Sequence, residues 1–459
     1  MKLVKSLLLG SAAGIAAVAG AQAADLPSRK AAPVEYVRVC SAYGAGFFFI
    51  PGTDTCLRVG GRVRAEYTVG TRYGRGQDGF GTRSRGRLNV DARTATAYGT
   101  LRAFFRYEVT INSGFYQGTI NGNQGIIAPG QARGLAAGST SGPNLDLAFI
   151  QFGPITAGRA QSFFDFYAND YTFSSLRTAD ARINLLAYTA TFGSGFSATL
   201  SLEDRATGTG TRENAVISPG GTSVIAGQDH PDIVASLRVD QGWGSAQLSG
   251  ALTQRAVILN QPGVVNTTTD DYGFAIQGGV KINLPMLAAG DVLFLQGAYA
   301  DGALGYLGWG GQFGSGRILS TVTPLLVGDI SVNALGNTNT ATGFSLVAVL
   351  RHFWTPQLRS EFFGSYSELD LGYTLVNQGG TGLVAAPLDP KEIIVGANLI
   401  WSPVSGLDIG VEVLYTRTEL RQPVLAAANG GVRTALAAGG RLVKDDDAGA
   451  IRFRIQRDF

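Results

Sequence analysis

In Gly449-Ala450-Ile451-Arg452-Phe453-Arg454-Ile455-Gln456-Arg457-Asp458-Phe459, the residues Ile451, Phe453, Ile455 and Phe459 share one parity, while Arg452, Arg454, Gln456 and Asp458 share the other. Side chains alternate across a strand, so such a strand meets two different solvents. The same two-residue rhythm recurs along the chain with very few helix-length apolar runs. Long ionised side chains cannot be buried cheaply unless each is paired. Lipid outside and water inside satisfy both parities at once, the pattern of a transmembrane β-barrel.

The strands at the start of the barrel test this sorting most severely. Across 57–68, Arg58, Arg62, Arg64 and Glu66 oppose Leu57, Val59, Val63, Ala65 and Tyr67. In 84–94, Arg85, Arg87, Asp91 and Arg93 oppose Leu88, Val90 and Ala92; in 100–111, Arg102, Arg106 and Glu108 oppose Leu101, Ala103, Phe105, Tyr107, Val109 and Ile111. None of these charges falls on the apolar parity, as expected where an arginine facing lipid at the midplane costs about 2–4 kcal/mol.

Strand candidates come in pairs joined by connections that alternate in length. Short ones lie near 96–99, 153–154, 193–195, 241–242, 285–290, 355–357 and 402–406. Long ones lie near 69–83, 112–144, 164–181, 206–231, 256–270, 301–341, 370–390 and 421–448. Seven short turns and eight long loops delimit sixteen antiparallel strands. In outer-membrane barrels the short turns are periplasmic and the long loops extracellular, which places both chain ends in the periplasm. A propeller would repeat in fours, and a sandwich would not sort its loops by length. Tyr67, Tyr107, Tyr299, Tyr366 and Tyr415 near the long loops, and Trp243, Trp354 and Trp401 beside the short turns, mark two interfacial girdles.

The first residues read as an export signal, 1–23: Lys2 and Lys5, an apolar run over 7–18, and Ala21-Gln22-Ala23 as the cleavage site. Removing it takes the chain from 37 basic residues to 35 against 34 acidic ones, a near-neutral balance that argues against binding nucleic acid by bulk charge. Residues 24–56 are expected to form a periplasmic-side segment and 57–459 the barrel. In an exported chain Cys40 and Cys56, sixteen residues apart, are expected to form a disulfide. Closing that loop is worth roughly 3 kcal/mol in the chain-entropy model.

Closure pairs the last strand with the first, because an open edge in hydrocarbon leaves backbone groups unsatisfied. Arg452 and Arg454 then join Arg58, Arg62, Arg64, Arg85, Arg87, Arg93, Arg102 and Arg106 in one basic wall. Such a wall reads as a phosphate-binding surface, as ion pairs with Glu66, Asp91 and Glu108, or as one side of a transverse field in a pore. Its surplus of arginines favours contact with water and mobile ions.

The stretch Val34-Glu35-Tyr36-Val37-Arg38-Val39-Cys40-Ser41-Ala42-Tyr43-Gly44-Ala45-Gly46-Phe47, continuing through Ile50-Pro51-Gly52-Thr53-Asp54-Thr55-Cys56-Leu57-Arg58-Val59, resembles the N-terminal hallmark of alphaproteobacterial general porins, the porin type 2 family. The signal segment Lys5-Ser6-Leu7-Leu8-Leu9-Gly10 and the closing Ile451-Arg452-Phe453-Arg454 with Phe459 are similar to that family too. The resemblance implies a homotrimer of sixteen-stranded barrels whose third loop folds inward and narrows each pore. Here that loop reads Ser162-Phe163-Phe164-Asp165-Phe166-Tyr167-Ala168-Asn169-Asp170-Tyr171, which would set Asp165 and Asp170 opposite the basic wall. Phe459 is similar to the C-terminal aromatic by which barrel precursors are recognised for assembly.

Enzymatic activity is not expected. His230 and His352, the chain's two imidazoles, fall at opposite ends of the barrel without an evident Ser/Asp partner. A plug transporter would need more than the segment 24–56, and a sugar-specific channel would need an inward aromatic ladder, for which Phe149, Phe294 and Phe363 are not contiguous. Lys444-Asp445-Asp446-Asp447 reads as a solvated loop more readily than as a divalent-ion site at surface lipopolysaccharide. The reading is an outer-membrane channel for passive diffusion of ions and small hydrophilic solutes, surrounded by lipid and lipopolysaccharide and needing no cofactor or metal.

Overall fold

A computed structural model describes residues 38–71, 79–114, 140–205, 212, 214–217, 224–225, 227–259, 267–309, 327–332, 337–372, 374–377, 383–386, 388–426 and 441–459. The expected signal segment and much of the loops 112–144 and 301–341 lie outside them. The chain divides into two compact units, Met1–Cys56 and Leu57–Phe459. In the first, Cys40 and Cys56 are disulfide-bonded with Cα atoms 5.9 Å apart. Both are buried with Phe47 beneath Tyr43 and Phe49, and the Arg38 guanidinium lies 4.6 Å from the Phe49 ring centre.

The second unit is an antiparallel sixteen-stranded closed barrel. Its strands are β1 Cys56–Gly70, β2 Phe80–Thr96, β3 Gly99–Asn112, β4 Thr140–Phe152, β5 Ile155–Gln161, β6 Arg182–Gly193, β7 Phe196–Glu203 and β8 Asp232–Gln241. They continue with β9 Gly244–Leu259, β10 Thr267–Asn283, β11 Val292–Asp301, β12 Thr342–Thr355, β13 Leu358–Asp370, β14 Lys391–Val404, β15 Leu407–Ala426 and β16 Arg441–Asp458. Closure is direct: β16 pairs with β1 in a register running from Arg62 opposite Asp458 to Gly70 opposite Ala450. No free edge remains between these two strands, as a hydrocarbon environment demands. Among the described residues no helix is long and apolar enough to cross a membrane.

The solvent-exposed face is apolar and the sheltered face polar, the inverse of a soluble protein. Val63, Leu88, Phe105, Val109, Ile150, Leu186, Leu200, Leu237, Ile276, Leu346, Val413 and Ile451 stand outward and exposed. The eight girdle aromatics named above are exposed on the same side. Arg457 breaks the rule, being exposed on the outward parity. It sits beside the short turn, where it donates to the Ser405 carbonyl, at the level at which a long cation reaches the headgroups.

The long loops carry structure of their own. Gly328–Val332 of the sixth loop pairs in parallel with Ala215–Ile217 of the fourth and antiparallel with Thr338–Thr340. A 3-10 turn, Leu304–Leu307, follows β11 and is buried with Trp309, Phe164 and Leu369.

Candidate pore constriction

Loop 3, residues 162–181, leaves β5 and runs inside the barrel. Inward side chains of successive strands hold its backbone. Gln247 of β9 donates to the carbonyls of Phe163, Phe164 and Asp165, and Gln277 of β10 donates to that of Phe164 at 2.8 Å. Gln296 of β11 accepts from the Tyr167 amide at 2.9 Å. At the far wall Glu412 of β15 accepts from the Phe173 amide at 2.6 Å, while Arg452 and Arg454 of β16 donate to the Phe173 carbonyl. Hydrogen bonds to charged groups contribute about 1.5–3 kcal/mol each, so the tip is held firmly.

Inward glycines provide the sockets. A Cβ at Gly279 would strike the Phe166 ring, and one at Gly410 would come within 2.9 Å of the Phe173 ring. Tyr167, with Phe166 and Tyr171 alongside, packs on Phe294, Val347, Phe363 and Leu414, and Arg351 lies 3.4 Å from the Tyr171 ring centre. Phe294 and Phe363 do face inward, but loop 3 covers them.

The root of the loop is locked by buried charge. Arg212 of loop 4 donates to Asp165 at 2.8 Å and to Glu203 at 3.0 Å, with its guanidinium 4.1 Å from the Tyr306 ring centre. Arg177 is bidentate on Glu392, donates to the Gly308 carbonyl and stacks 3.6 Å from the Trp309 ring centre. Asp165 therefore does not face the basic wall: it is buried, bonded to Arg212, Gln161 and the Ala181 amide. Burial, with Asp180 and Glu203 nearby, pushes its carboxyl up to about 8 even beside Arg212. Two carboxylates sharing one guanidinium favour retention of a proton. Asp170 is exposed on the loop.

The wall opposite is laid out in cross-strand pairs. Arg62 meets Asp458 at 2.5 Å, Arg64 donates to Gln456, Arg87 meets Glu108 at 2.5 Å, and Arg85 lies 3.7 Å from the same Glu108. Arg93 and Arg102 both grip Asp91, and Arg106 reaches Asp146 at 3.3 Å. Asp146 also holds Arg182, which touches Asp180 at the end of loop 3, so a chain of charges links loop to wall. Arg58 is exposed. Arg452 and Arg454 point inward but do not line water. Glu66 and the Phe173 carbonyl engage Arg454, and both arginines are buried beneath the loop tip.

Sequence reasoning missed Gln247, Gln277, Gln296, Glu412 and Arg212, which position the constriction. The first four show only as polar residues at inward parity, and Arg212 lies in a long loop with no local pattern.

A closed barrel with an apolar exterior, a charged lumen and an inward third loop defines a porin-type outer-membrane channel. The family model described as "Porin subfamily" matches residues 25–435, and the chain belongs to that family. It is 34% identical over 322 residues to Porin Omp2b of Brucella canis, covering 68% of this chain and 78% of that protein. With Porin Omp2b of Brucella neotomae it shares 33% over 333 residues, covering 69% and 81%. The outer membrane channel DcaP of Acinetobacter baumannii has a similar fold: TM-score 0.58 at 14% identity, over 90% of this chain and 99% of that one.

Proposed function

We propose that this protein is a passive, water-filled diffusion channel for ions and small hydrophilic solutes, with a preference for anions. One observation carries the reading. On β1 to β4 the inward arginines outnumber Glu66, Asp91, Glu108 and Asp146, and of the two loop acids Asp165 is turned away and buried, which leaves Asp170 exposed on the loop. A narrow passage bounded by surplus fixed positive charge raises the local concentration of anions. The covered Phe294 and Phe363 offer no sliding surface for a sugar, which argues against a sugar-specific channel. Transport of this kind requires no bond-making and no cofactor.

The mature chain is proposed to begin at Ala24 after export, to carry residues 24–56 as a disulfide-closed segment on the periplasmic side, and to assemble as a homotrimer in the lipopolysaccharide-bearing membrane. Membership of the porin family supports this assembly. The test is a planar-bilayer recording of the purified mature protein under a potassium chloride gradient. The proposal expects ohmic steps and a reversal potential of anionic sign. Absence of steps, or a cationic reversal potential, contradicts it.

A further inference from the structure

Strand β3 presents Arg102, Phe104, Arg106 and Glu108 to the lumen, and Phe104 is the apolar member of that row. It stands in register with Phe149 of β4. The two half-buried rings lie 5.3 Å apart at an angle of 30°. Phe149 leans on a small apolar floor of Ala160, Leu185 and Ala187, with Phe163 at the root of loop 3. Both rings remain partly accessible at inward positions. Strand alternation calls for a polar side chain at an inward position on a water-filled passage, so half-exposed aromatic rings there run against the pattern that governs the rest of this wall.

Cations surround the pair. The Arg102 guanidinium lies 5.1 Å from the Phe104 ring centre and 5.3 Å from that of Phe149, and Arg106 lies 5.8 Å from Phe104. Their carboxylate partners are shared. Asp91 accepts from both Arg93 and Arg102, each bidentate at 2.7–3.0 Å. Asp146 serves both Arg106 and Arg182. The neighbourhood thus holds three carboxylates, Asp91, Asp146 and the Asp180 that Arg182 also touches, among four guanidinium groups, and Arg93, Arg102 and Arg106 keep 26%, 26% and 23% of their side chains accessible.

We propose that this patch is a binding subsite for small aromatic carboxylates. The ligand ring would stack on Phe104 and Phe149 while its carboxylate takes charge-assisted hydrogen bonds from Arg102 and Arg106. Both contacts suit one molecule of benzoate size, since aromatic pairs prefer offset or tilted stacking within about 7 Å and arginine forks fit carboxylates. Occupancy is brief, because a conducting pore must release what it binds. The inference rests on the diffusion reading and names one solute class that such a pore favours.

The test is single-channel recording of the mature full-length protein in potassium chloride, with sodium benzoate, cyclohexanecarboxylate or acetate added at equal ionic strength. Benzoate is expected to reduce or chop the open-channel current at about two- to tenfold lower concentration than cyclohexanecarboxylate, the gain that ring stacking supplies; acetate is expected to leave it unchanged. In Phe104→Leu and Phe149→Leu, each normalised to its own chloride current, benzoate falls to the level of cyclohexanecarboxylate. Equal effects of benzoate and acetate on the wild type overturn the subsite, as does an unaltered benzoate response in both variants. Those failures leave the diffusion channel standing; absence of conducting steps in chloride alone removes both.

Discussion

Arg212 donates to Asp165 across 2.8 Å in a fully enclosed setting, tying loop 4 to the root of loop 3. The pair explains why an aspartate in the constriction loop contributes little field to the pore. It also makes loop docking depend on a proton.

The folded-state value of Asp165, about 8, stands above that of an unfolded aspartate near 4. The folded protein therefore holds a proton that the unfolded chain has released between those values. Stabilisation is full below about pH 4, declines as pH rises and is lost once pH passes about 8. Current noise from loop motion is expected to grow over that window in the wild type and to stay flat in Asp165→Asn. An identical pH profile in the two proteins contradicts the assignment.

Arg64 pairs with the neutral Gln456 rather than with a carboxylate, so its charge is the cleanest to reverse. Arg64→Glu is expected to move the permeability ratio towards cations by roughly threefold or more, since fixed charges a few ångströms from a permeating ion act with about 1 kcal/mol even in water. Unchanged reversal potentials would place this residue outside the conducting path.

Gly279 is an inward position at which the three atoms nearest an added Cβ all belong to the Phe166 ring. Overpacking of this kind costs about 1–3 kcal/mol. Gly279→Leu should therefore displace loop 3, raising conductance and noise with the barrel still folded. Deleting residues 164–175 should raise conductance further. If neither variant conducts more than the wild type, the loop does not set the narrowest section.

The Phe459 ring rests against Gly61 at the seam, with reciprocal backbone hydrogen bonds of 2.8 and 3.1 Å between the two residues. A Cβ at position 61 would lie 2.6 Å from both the Phe459 ring and the Arg87 carbonyl oxygen. Gly61→Val is expected to lower the yield of heat-modifiable, protease-resistant barrel severalfold. A normal yield would show that closure tolerates a side chain there.

Much of the barrel was legible because a membrane sorts side chains by parity: Arg102 and Arg106 inward, Phe105 and Tyr107 outward, each read from its neighbours. The turns were legible because short and long connections alternate. The constriction was less so. Arg212 finds Asp165 from 47 positions away, Phe173 meets Arg452 from 279, and Phe166 fits Gly279 only once the strands are closed. Parity sends Arg452 and Arg454 inward but does not reveal what then covers them, and a rule made for the bilayer midplane does not hold Arg457 at the rim.

A channel of this build requires adjacent residues of one strand to face water and lipid in turn. Cysteine is placed singly at 105 or 106 (Phe105→Cys, Arg106→Cys) in protein reconstituted in a bilayer, and a charged, membrane-impermeant thiol reagent is added during recording. A stepwise change in current is expected for Arg106→Cys and none for Phe105→Cys. Modification of Phe105→Cys with Arg106→Cys inert would contradict this alternation.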